Sequence, residues 1–275
     1  MDKLNFLTAG MPLRTNPKDG YESAFQILKE MDLDGLELEF VRGVRMSEKS
    51  RQTVKKYSEN FTITAHAPFY INLNSKEEDK VEASILRIIE TANTASSVSA
   101  YSITYHAAYY MGEEKDIVFK KVVDTTKKIM KVLDEEKIDI WIRPETTGKA
   151  TQWGDIDEII ALSKEFDKVL PCVDFSHIHA RSAGGFNSYD DFCMILEKIE
   201  KNLGRFAIEN FHGHLAGIAY SDKGEKNHLN LEESDMNYKD LLRAIKSFDV
   251  KGALVCESPN IEDDCRLMKE FYKSL

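Results

Sequence analysis

Apolar, strand-like segments alternate along this chain with longer segments in which apolar residues recur at helical spacing. The helical pattern is clear in Asp116–Glu136, where Val123, Ile129, Met130 and Leu133 recur among lysines and aspartates. Such spacing is typical of a helix with one face on a core. The pattern predicts eight strands, at Leu4–Ala9, Gly35–Phe40, Thr62–Ala67, Ser102–Ala107, Ile138–Pro144, Val169–Phe175, Gly213–Tyr220 and Gly252–Glu257. The predicted helices include Glu77–Ala95, Asp116–Glu136, Ile156–Phe166, Tyr189–Leu203 and Tyr238–Phe248.

Eight strands that are each followed by a helix predict an α/β fold, a (β/α)8 TIM barrel, and 275 residues suit that architecture. An open, doubly wound sheet would also alternate strands and helices, but no Gly-x-Gly-x-x-Gly fingerprint follows any predicted strand. No linker, low-complexity segment or charge block interrupts the chain. Residues 1–275 are therefore predicted to form a single domain.

The composition is that of a globular protein, with 42% hydrophobic and 31% charged residues. No apolar run approaches the roughly 20 residues of a membrane span, and the first residues lack the pattern of a signal peptide. We expect a cytoplasmic monomer without membrane contacts, and four reduced cysteines, since no Cys-x-x-Cys motif occurs. The formal net charge of −10 argues against non-specific binding of nucleic acid, but it is compatible with a local basic groove.

Chemistry-bearing residues collect at one end of the predicted strands. All seven histidines lie at or just beyond a predicted strand end. The carboxyl ends of barrel strands surround a single mouth, where barrel enzymes place their active sites. A lone His or Glu at such a position is most often structural, but independent structural residues have no reason to share the same end of six strands. The pattern predicts a metal site formed by His66, His106, Glu145, Asp174, His214 and Glu257.

Imidazole and carboxylate ligands favour zinc, manganese or iron over calcium or magnesium. Carboxylates that face one another in a pocket need cations, because like charges alone would raise their pKa values. This number of ligands suggests two or more metal ions. Paired ions typically stabilise the attacking and leaving oxygens of a phosphoryl displacement.

Four motifs in this chain resemble the endonuclease IV family, and the resemblance extends from about residue 35 to residue 260. The segment from His66 to Asn74 resembles a signature in which a ligand His precedes an aromatic pair and Ile-Asn-Leu. The segment Val173–His177 resembles that family's Ile-Asp-x-x-His, His214-Leu215 its His-Leu-Asn, and Glu257-Ser258-Pro259 its closing Glu-Thr-Pro.

The resemblance implies a (β/α)8 barrel that hydrolyses the DNA phosphodiester 5′ to an abasic site, with duplex DNA as partner and usually three zinc ions. His66 and His106 would hold the first ion, and Glu145 would bridge the first and second ions and help activate the attacking water. Asp174, His214 and Glu257 would complete the second site. Phe69 and Tyr70 match side chains that enter the DNA at the lesion, and Arg42 is a further candidate for the groove. Alternatively, Phe69 and Tyr70 would pack in the core, and Arg42 would be an ordinary exposed surface residue.

The third metal site departs from the family pattern. It would use His177 with an Asp-x-His motif, which here reads Lys226-Asn227-His228. Glu225 lies one residue too early for the acidic ligand, although a loop could bring it in. We expect two strongly bound zinc ions, with the ammonium of Lys226 standing where the third cation would be. His212 is not assigned because His214 matches the motif better, and His179 is expected to be a solvated loop residue.

Two other functions fit the same residues. A sugar isomerase or epimerase on this barrel would use one divalent ion held by Glu145, Asp174, His214 and Glu257, and would not need both His66 and His106 as ligands. A damaged-DNA binder that has lost cleavage is the non-enzymatic alternative, and the barrel alone does not decide among the three.

Overall fold

The computed structural model describes residues 1–275. Its strands are β1 (Leu4–Ala9), β2 (Gly35–Glu39), β3 (Thr62–His66), β4 (Ser102–Tyr105), β5 (Ala108–Tyr109), β6 (Trp141–Pro144), β7 (Gln152–Trp153), β8 (Val173–Asp174), β9 (Phe211–Leu215), β10 (Gly217–Ser221), β11 (Gly224–Leu229) and β12 (Gly252–Cys256). The helices are α1 (Tyr21–Glu30), α2 (Glu48–Tyr57), α3 (Glu78–Ser97), α4 (Lys115–Glu135), α5 (Ile156–Ser163), α6 (Phe175–Arg181), α7 (Tyr189–Leu203), α8 (Arg205–Glu209), α9 (Tyr238–Ser247) and α10 (Glu262–Ser274). None of the helices combines the length and apolar character that a membrane crossing requires.

Eight parallel strands form the central sheet, in the order β6-β4-β3-β2-β1-β12-β9-β8. Two further parallel bridges, Ile142 with Val169 and Glu145 with Cys172, join the two ends of this order. The sheet therefore curls into a barrel, and the predicted (β/α)8 fold is confirmed. The two remaining strand pairs, β5–β7 and β10–β11, are short antiparallel additions.

Alternation along the strands separates the barrel interior from the layer beneath the helices. In β2, Leu36 and Leu38 belong to the main hydrophobic core of 59 buried residues, whereas Glu37 and Glu39 alternate with them on the other face. A separate apolar cluster of Leu7, Ala253 and Val255 lies in the barrel interior. The main core thus lies between barrel and helices, and the upper interior is left to polar side chains.

Several element bounds differ from the prediction. The predicted strand Ile138–Pro144 begins only at Trp141, and regular pairing in the predicted strand Val169–Phe175 is limited to Val173 and Asp174. The predicted strand Gly213–Tyr220 is two strands, β9 in the barrel and β10 in a hairpin, which are separated at Ala216. His228, expected in a loop, lies in β11 of that hairpin. Both halves of that segment are apolar, so hydrophobicity alone did not reveal the change of sheet.

Candidate metal centre

A cavity of about 430 Å³ opens at the carboxyl end of the barrel strands. Its walls come from the ends of strands on all sides of the barrel and from the β10–β11 hairpin. The polar side chains among its lining residues are Glu39, His66, His106, Glu145, His177, Glu225, His228, Glu257 and Ser258. Asp174 and His214 lie directly beneath this cavity, and both are completely buried.

Glu145 lies at the centre of this group. Its Oε2 atom is 3.1 Å from Nε2 of His66, and its Oε1 atom is 3.3 Å from Nε2 of His106. The same Oε1 atom lies 3.2 Å from Nδ1 of His177 and 3.4 Å from Nδ1 of His214. One carboxylate that loses almost all solvent contact therefore faces four imidazole rings.

The potential ligand atoms form three groups that meet at or beside Glu145. Within each group the atoms lie no more than 4.8 Å apart, and the groups are His66 with His106 and Glu145, Glu145 with Asp174, His214 and Glu257, and Asp174 with His177 and His228. The eight residues predicted as metal ligands are thus all brought together. Asp174 also begins α6, because its Oδ1 atom accepts a hydrogen bond from the backbone N–H of His177. This cap fixes His177 above the carboxylate group.

These atoms fit a metal ion better than they fit one another. At metal–ligand distances near 2.0–2.2 Å, the ligand atoms of a tetrahedral site lie about 3.3–3.6 Å apart. The contacts of 3.1–3.4 Å around Glu145 are close to this range, but most of the atoms are not aligned as hydrogen-bonding pairs. The buried atoms without a hydrogen-bond partner include Glu145 Oε1, Asp174 Oδ2, His214 Nδ1, His228 Nε2 and Glu257 Oε2. Such atoms are rare in native proteins unless a ligand or water satisfies them.

Without metal, the pKa values reflect a group of acids and histidines that stabilise one another's charged forms. Burial alone would raise the pKa of Glu145, but the neighbouring His106 and His214 lower it well below its usual range. Burial likewise opposes the charge on His66 and His177, yet the pKa of His66 rises to about 10 beside Glu145 and that of His177 to about 10 beside Asp174 and Glu145. Burial and the nearby Glu257 and Glu145 raise the pKa of Asp174 to about 6, although His177 opposes the shift. Protons therefore occupy the site that cations could take.

The third predicted site has an acid at a position that the sequence pattern did not favour. Oε2 of Glu225 lies 3.6 Å from Nε2 of His177, whereas Lys226 is exposed and does not line the cavity. A β-bulge explains this, since Ala219 pairs with Asn227 but Tyr220 pairs with Glu225, which leaves Lys226 as the extra residue. The bulge turns both Glu225 and His228 toward the cavity. The structure thus corrects the hypothesis that the ammonium of Lys226 stands in the place of a third cation.

A glycine makes room for Glu225. A Cβ atom on Gly148 would lie 2.7 Å from both Cβ and Oε2 of Glu225 and 3.1 Å from the ring of His177. The backbone N–H of Glu225 also donates to the carbonyl of Gly148 at 3.0 Å. The loop after β6 and the hairpin therefore fit together only because residue 148 has no side chain.

Three further residues of this region were not predicted from the sequence. Glu37 lies beneath the cavity, 3.1 Å from Nε2 of His212 and 3.2 Å from Nε2 of His214. Glu39 lines the cavity, and burial raises its pKa to about 8. Cys172 groups with His212 and His214, and burial raises the pKa of its thiol to about 12. Alternation in β2 could have revealed both glutamates, since they share the inward face on which His66 also lies.

The remaining predicted residues lie around this site. Phe69 is 55% exposed at the rim, with its ring 5.8 Å from that of His66, and Tyr70 is 52% exposed with the guanidinium of Arg87 above its ring. Core packing, the alternative role for both aromatics, is therefore wrong. Arg42 is exposed in the loop after β2.

The expectation for His179 is also wrong. The residue is buried in α6, where Nδ1 contacts the carbonyl of Gly185 at 2.8 Å and Nε2 lies 3.2 Å from Asp235.

Comparison with known proteins supports both the fold and the motif resemblance. The family model described as a xylose isomerase-like TIM barrel matches residues 25–275. An uncharacterized protein from Methanocaldococcus jannaschii is 44% identical over 272 residues, which cover 99% of this chain and 98% of that protein. A probable endonuclease 4 from a Geobacillus species is 23% identical over 155 residues, which cover 54% of this chain and 50% of the relative.

Two solved structures share the fold at low sequence identity. Endonuclease IV from Thermus thermophilus superposes with a TM-score of 0.73 at 16% identity, covering 98% of this chain and all of that chain. A D-tagatose 3-epimerase-like protein superposes with a TM-score of 0.74 at 18% identity, covering 98% of this chain and 96% of that chain. The backbone alone thus does not separate a nuclease from a sugar epimerase.

Proposed function

This chain belongs to the xylose isomerase-like TIM-barrel family, and from that premise we propose that it is a metal-dependent phosphodiesterase that cuts DNA 5′ to abasic sites. The observation that carries the proposal is the arrangement of four histidines around the two oxygens of Glu145. The distant similarity to probable endonuclease 4 relatives and the motif order support the same function.

The site contains more potential ligands than a single metal ion needs. Four residues, namely Glu145, Asp174, His214 and Glu257, are enough for the single metal of a sugar enzyme. His66 and His106 add a second group on one side of Glu145, and His177 with His228 adds a third on the other side. Several cations that share one carboxylate suit a phosphate group, whose charge is spread over several oxygens.

We propose zinc ions in all three groups, with Glu225 in place of the acidic ligand expected at residue 226. The bulge in β11 and the missing side chain at Gly148 support this assignment. Zinc matches the mixture of imidazole and carboxylate ligands, and manganese or iron would match it too. The expectation of only two strongly bound ions rested on Lys226 and is therefore replaced.

The protein's own residues would perform three tasks in the reaction. Glu145, Asp174, His214 and Glu257 would hold cations, which stabilise charge on the phosphate and lower the pKa of the attacking water. Glu145 keeps its negative charge between the histidines, so it can orient that water. Glu39 lines the cavity wall and could contact a substrate oxygen.

The rim of the cavity offers contacts for a duplex. Phe69 projects beside the cavity without a partner that covers it, so its ring could stack in the gap left by a missing base. Tyr70 already contacts Arg87, whose guanidinium lies 5.2 Å from the ring centre. We propose Phe69 as the main wedge, Tyr70 as its support, and Arg42 as a phosphate contact.

The test uses duplex DNA with one tetrahydrofuran abasic analogue, which cannot undergo β-elimination. The protein is stripped with a chelator and then reloaded with zinc, manganese or cobalt. We expect a nick 5′ to the analogue with a 3′-hydroxyl end, only after reloading and not in undamaged duplex. If no metal restores such a nick while the metal content is normal, the phosphodiesterase proposal fails.

A sugar epimerase is the second candidate, and the self-sufficient group of Glu145, Asp174, His214 and Glu257 favours it. His66→Ala separates the two functions, because a one-metal enzyme would keep its ion in this variant. We expect the variant to bind fewer ions than the wild type. Unchanged metal content, together with turnover of a ketohexose, would favour the epimerase.

A further inference from the structure

We propose that Glu37 is a positioning residue that orients His214, so that Nδ1 of this ring faces the metal centre. This inference rests on the metal-dependent function proposed above. The two ring nitrogens of His214 face different partners. Nδ1 lies 3.3 Å from Oε1 of Glu257 in the cluster above, and Nε2 lies 3.2 Å from Oε1 of Glu37 below. A carboxylate behind a ligating imidazole selects its tautomer and raises its basicity.

The contacts of Glu37 continue to a second histidine and a serine. Its Oε2 atom lies 3.1 Å from Nε2 of His212, and Nδ1 of His212 lies 2.9 Å from Oγ of Ser102. Glu37, His212, His214 and Ser102 are all completely buried. Bulk solvent therefore does not reach any of them.

With both imidazole rings neutral, one placement of protons satisfies every member of this row when a cation is bound above it. A free lone pair on Nδ1 of His214 leaves the proton on Nε2, which donates to Glu37. The other oxygen of Glu37 accepts the Nε2 proton of His212, and Nδ1 of His212 accepts the hydroxyl proton of Ser102. The contacts of Glu37 are close but not aligned as hydrogen bonds without metal. We infer that a cation at Nδ1 aligns them.

Glu262 provides a matched control for Glu37. It is a carboxylate of the same type and is only 1% exposed, but it accepts the backbone N–H groups of Leu13 and Arg14 and contacts no proposed ligand. Glu37→Gln and Glu262→Gln should both lower the unfolding temperature of the metal-free protein. Only Glu37→Gln should change metal binding.

The experiment measures zinc affinity by competition with a chromophoric chelator in the wild type, Glu37→Gln, Glu262→Gln and His214→Ala. We expect Glu37→Gln to weaken one zinc site by about 10- to 100-fold, and Glu262→Gln to leave every site unchanged. Long-range proton–nitrogen NMR of the zinc-loaded wild type should show a proton on Nε2 of His214 and none on Nδ1. Ser102→Ala, which leaves the carboxylate in place, should cause a smaller loss and serves if Glu37→Gln does not fold.

Three results would overturn the inference. Affinity that is unchanged in Glu37→Gln but lost in His214→Ala would show that Glu37 does not position the ligand, whether or not the protein cuts DNA. Loss of one whole ion in Glu37→Gln, with the other affinities unchanged, would show that Glu37 itself binds a cation with His212 and Cys172. A wild type that binds no metal would overturn this inference and the proposed function together, whereas metal binding without DNA cleavage would affect only the latter.

Discussion

Both ends of the barrel carry charged side chains, but surface lysines pair with carboxylates at one end, whereas exposed basic side chains form no ion pairs at the other. At the amino ends of the strands, Lys3 lies 2.7 Å from Asp34, and Lys269 lies 2.9 Å from the same carboxyl group. The buried Arg143 donates there to the carbonyl oxygens of Pro171 and Asn210. The lysines at this end therefore pair with a carboxylate, and Arg143 is held by backbone carbonyl groups.

At the mouth, exposed basic side chains lack such partners, whereas the buried acids and histidines contact one another. Basic side chains in the loops after β2 and β6 and in the β10–β11 hairpin form no ion pairs, and these are Arg42, Arg45, Lys149, Lys223 and Lys226. Several atoms of the buried acids and histidines beneath them lack hydrogen-bond partners. The mouth thus leaves potential metal ligands and positively charged side chains available, which the proposed function would use.

The largest expected effect comes from Glu145→Gln at the centre of the mouth. The substitution removes the charge that two of the three ligand groups share, so we expect cleavage of the abasic duplex to fall by at least about 10³-fold. Metal analysis of the purified variant should show a loss of bound ions. Activity within tenfold of the wild type would contradict the central role of Glu145 and with it the contrast between the two ends.

The second prediction concerns pH, because protons and cations compete for the same histidines. His66 and His177 have pKa values raised to about 10, so both are protonated at neutral pH without metal. Their contribution to the stability of the metal-free protein is complete below about pH 6.5 and is lost as pH rises toward 10. Metal binding should release at least one proton and strengthen by at least about tenfold per pH unit in this window.

The proton release is measured by titration calorimetry of metal binding in two buffers of different ionisation enthalpy. The effect on stability is measured by thermal unfolding with and without metal. From pH 6.5 to 9, the unfolding temperature of the metal-free protein should fall. The difference in unfolding temperature between the metal-loaded and the metal-free protein should increase over the same range. Metal binding without proton release at pH 7.5 would mean that these histidines are not ligands.

Much of the mouth could be predicted from sequence, because most of the ligands lie at strand ends and barrel strands share one mouth. His66 ends β3, and Glu145 and Glu257 directly follow β6 and β12, so their position depends only on the strand count. Glu225 could not be predicted in the same way, because its direction depends on a bulge that shifts the alternation of β11 by one residue. The partners of Glu37 lie across the barrel, and sequence spacing carries no information about such contacts.

The third prediction tests Glu225 through the glycine that accommodates it. Gly148 does not adopt a left-handed backbone, so Gly148→Ala should act mainly through the contact with Glu225 and His177. We expect Gly148→Ala and Glu225→Ala each to weaken the third metal site by about 10- to 100-fold, with the other two ions retained. Lys226→Ala is the neighbouring control and should leave three ions. An increase in bound metal in Lys226→Ala would restore the hypothesis that its ammonium replaces a cation.

The smallest expected effect concerns the basic residues at the mouth. Each phosphate contact contributes about 0.9 to the slope of the logarithm of affinity against the logarithm of salt concentration. Arg42→Ala with Lys223→Ala should therefore reduce this slope by up to about two for an abasic duplex, measured by fluorescence anisotropy over a range of salt concentrations. Binding should weaken to a similar degree for damaged and undamaged duplexes, because phosphate contacts carry no sequence information.

The matched control removes two positive charges from the opposite end, as Lys3→Ala with Lys273→Ala. Both lysines are paired, Lys3 with Asp34 and Lys273 with Asp32, so neither is available to a phosphate. The overall change in net charge is the same, and we expect no change in the salt slope beyond experimental error. An equal loss in both double variants would mean that total charge governs DNA binding, and the unpaired residues at the mouth would then have no special role.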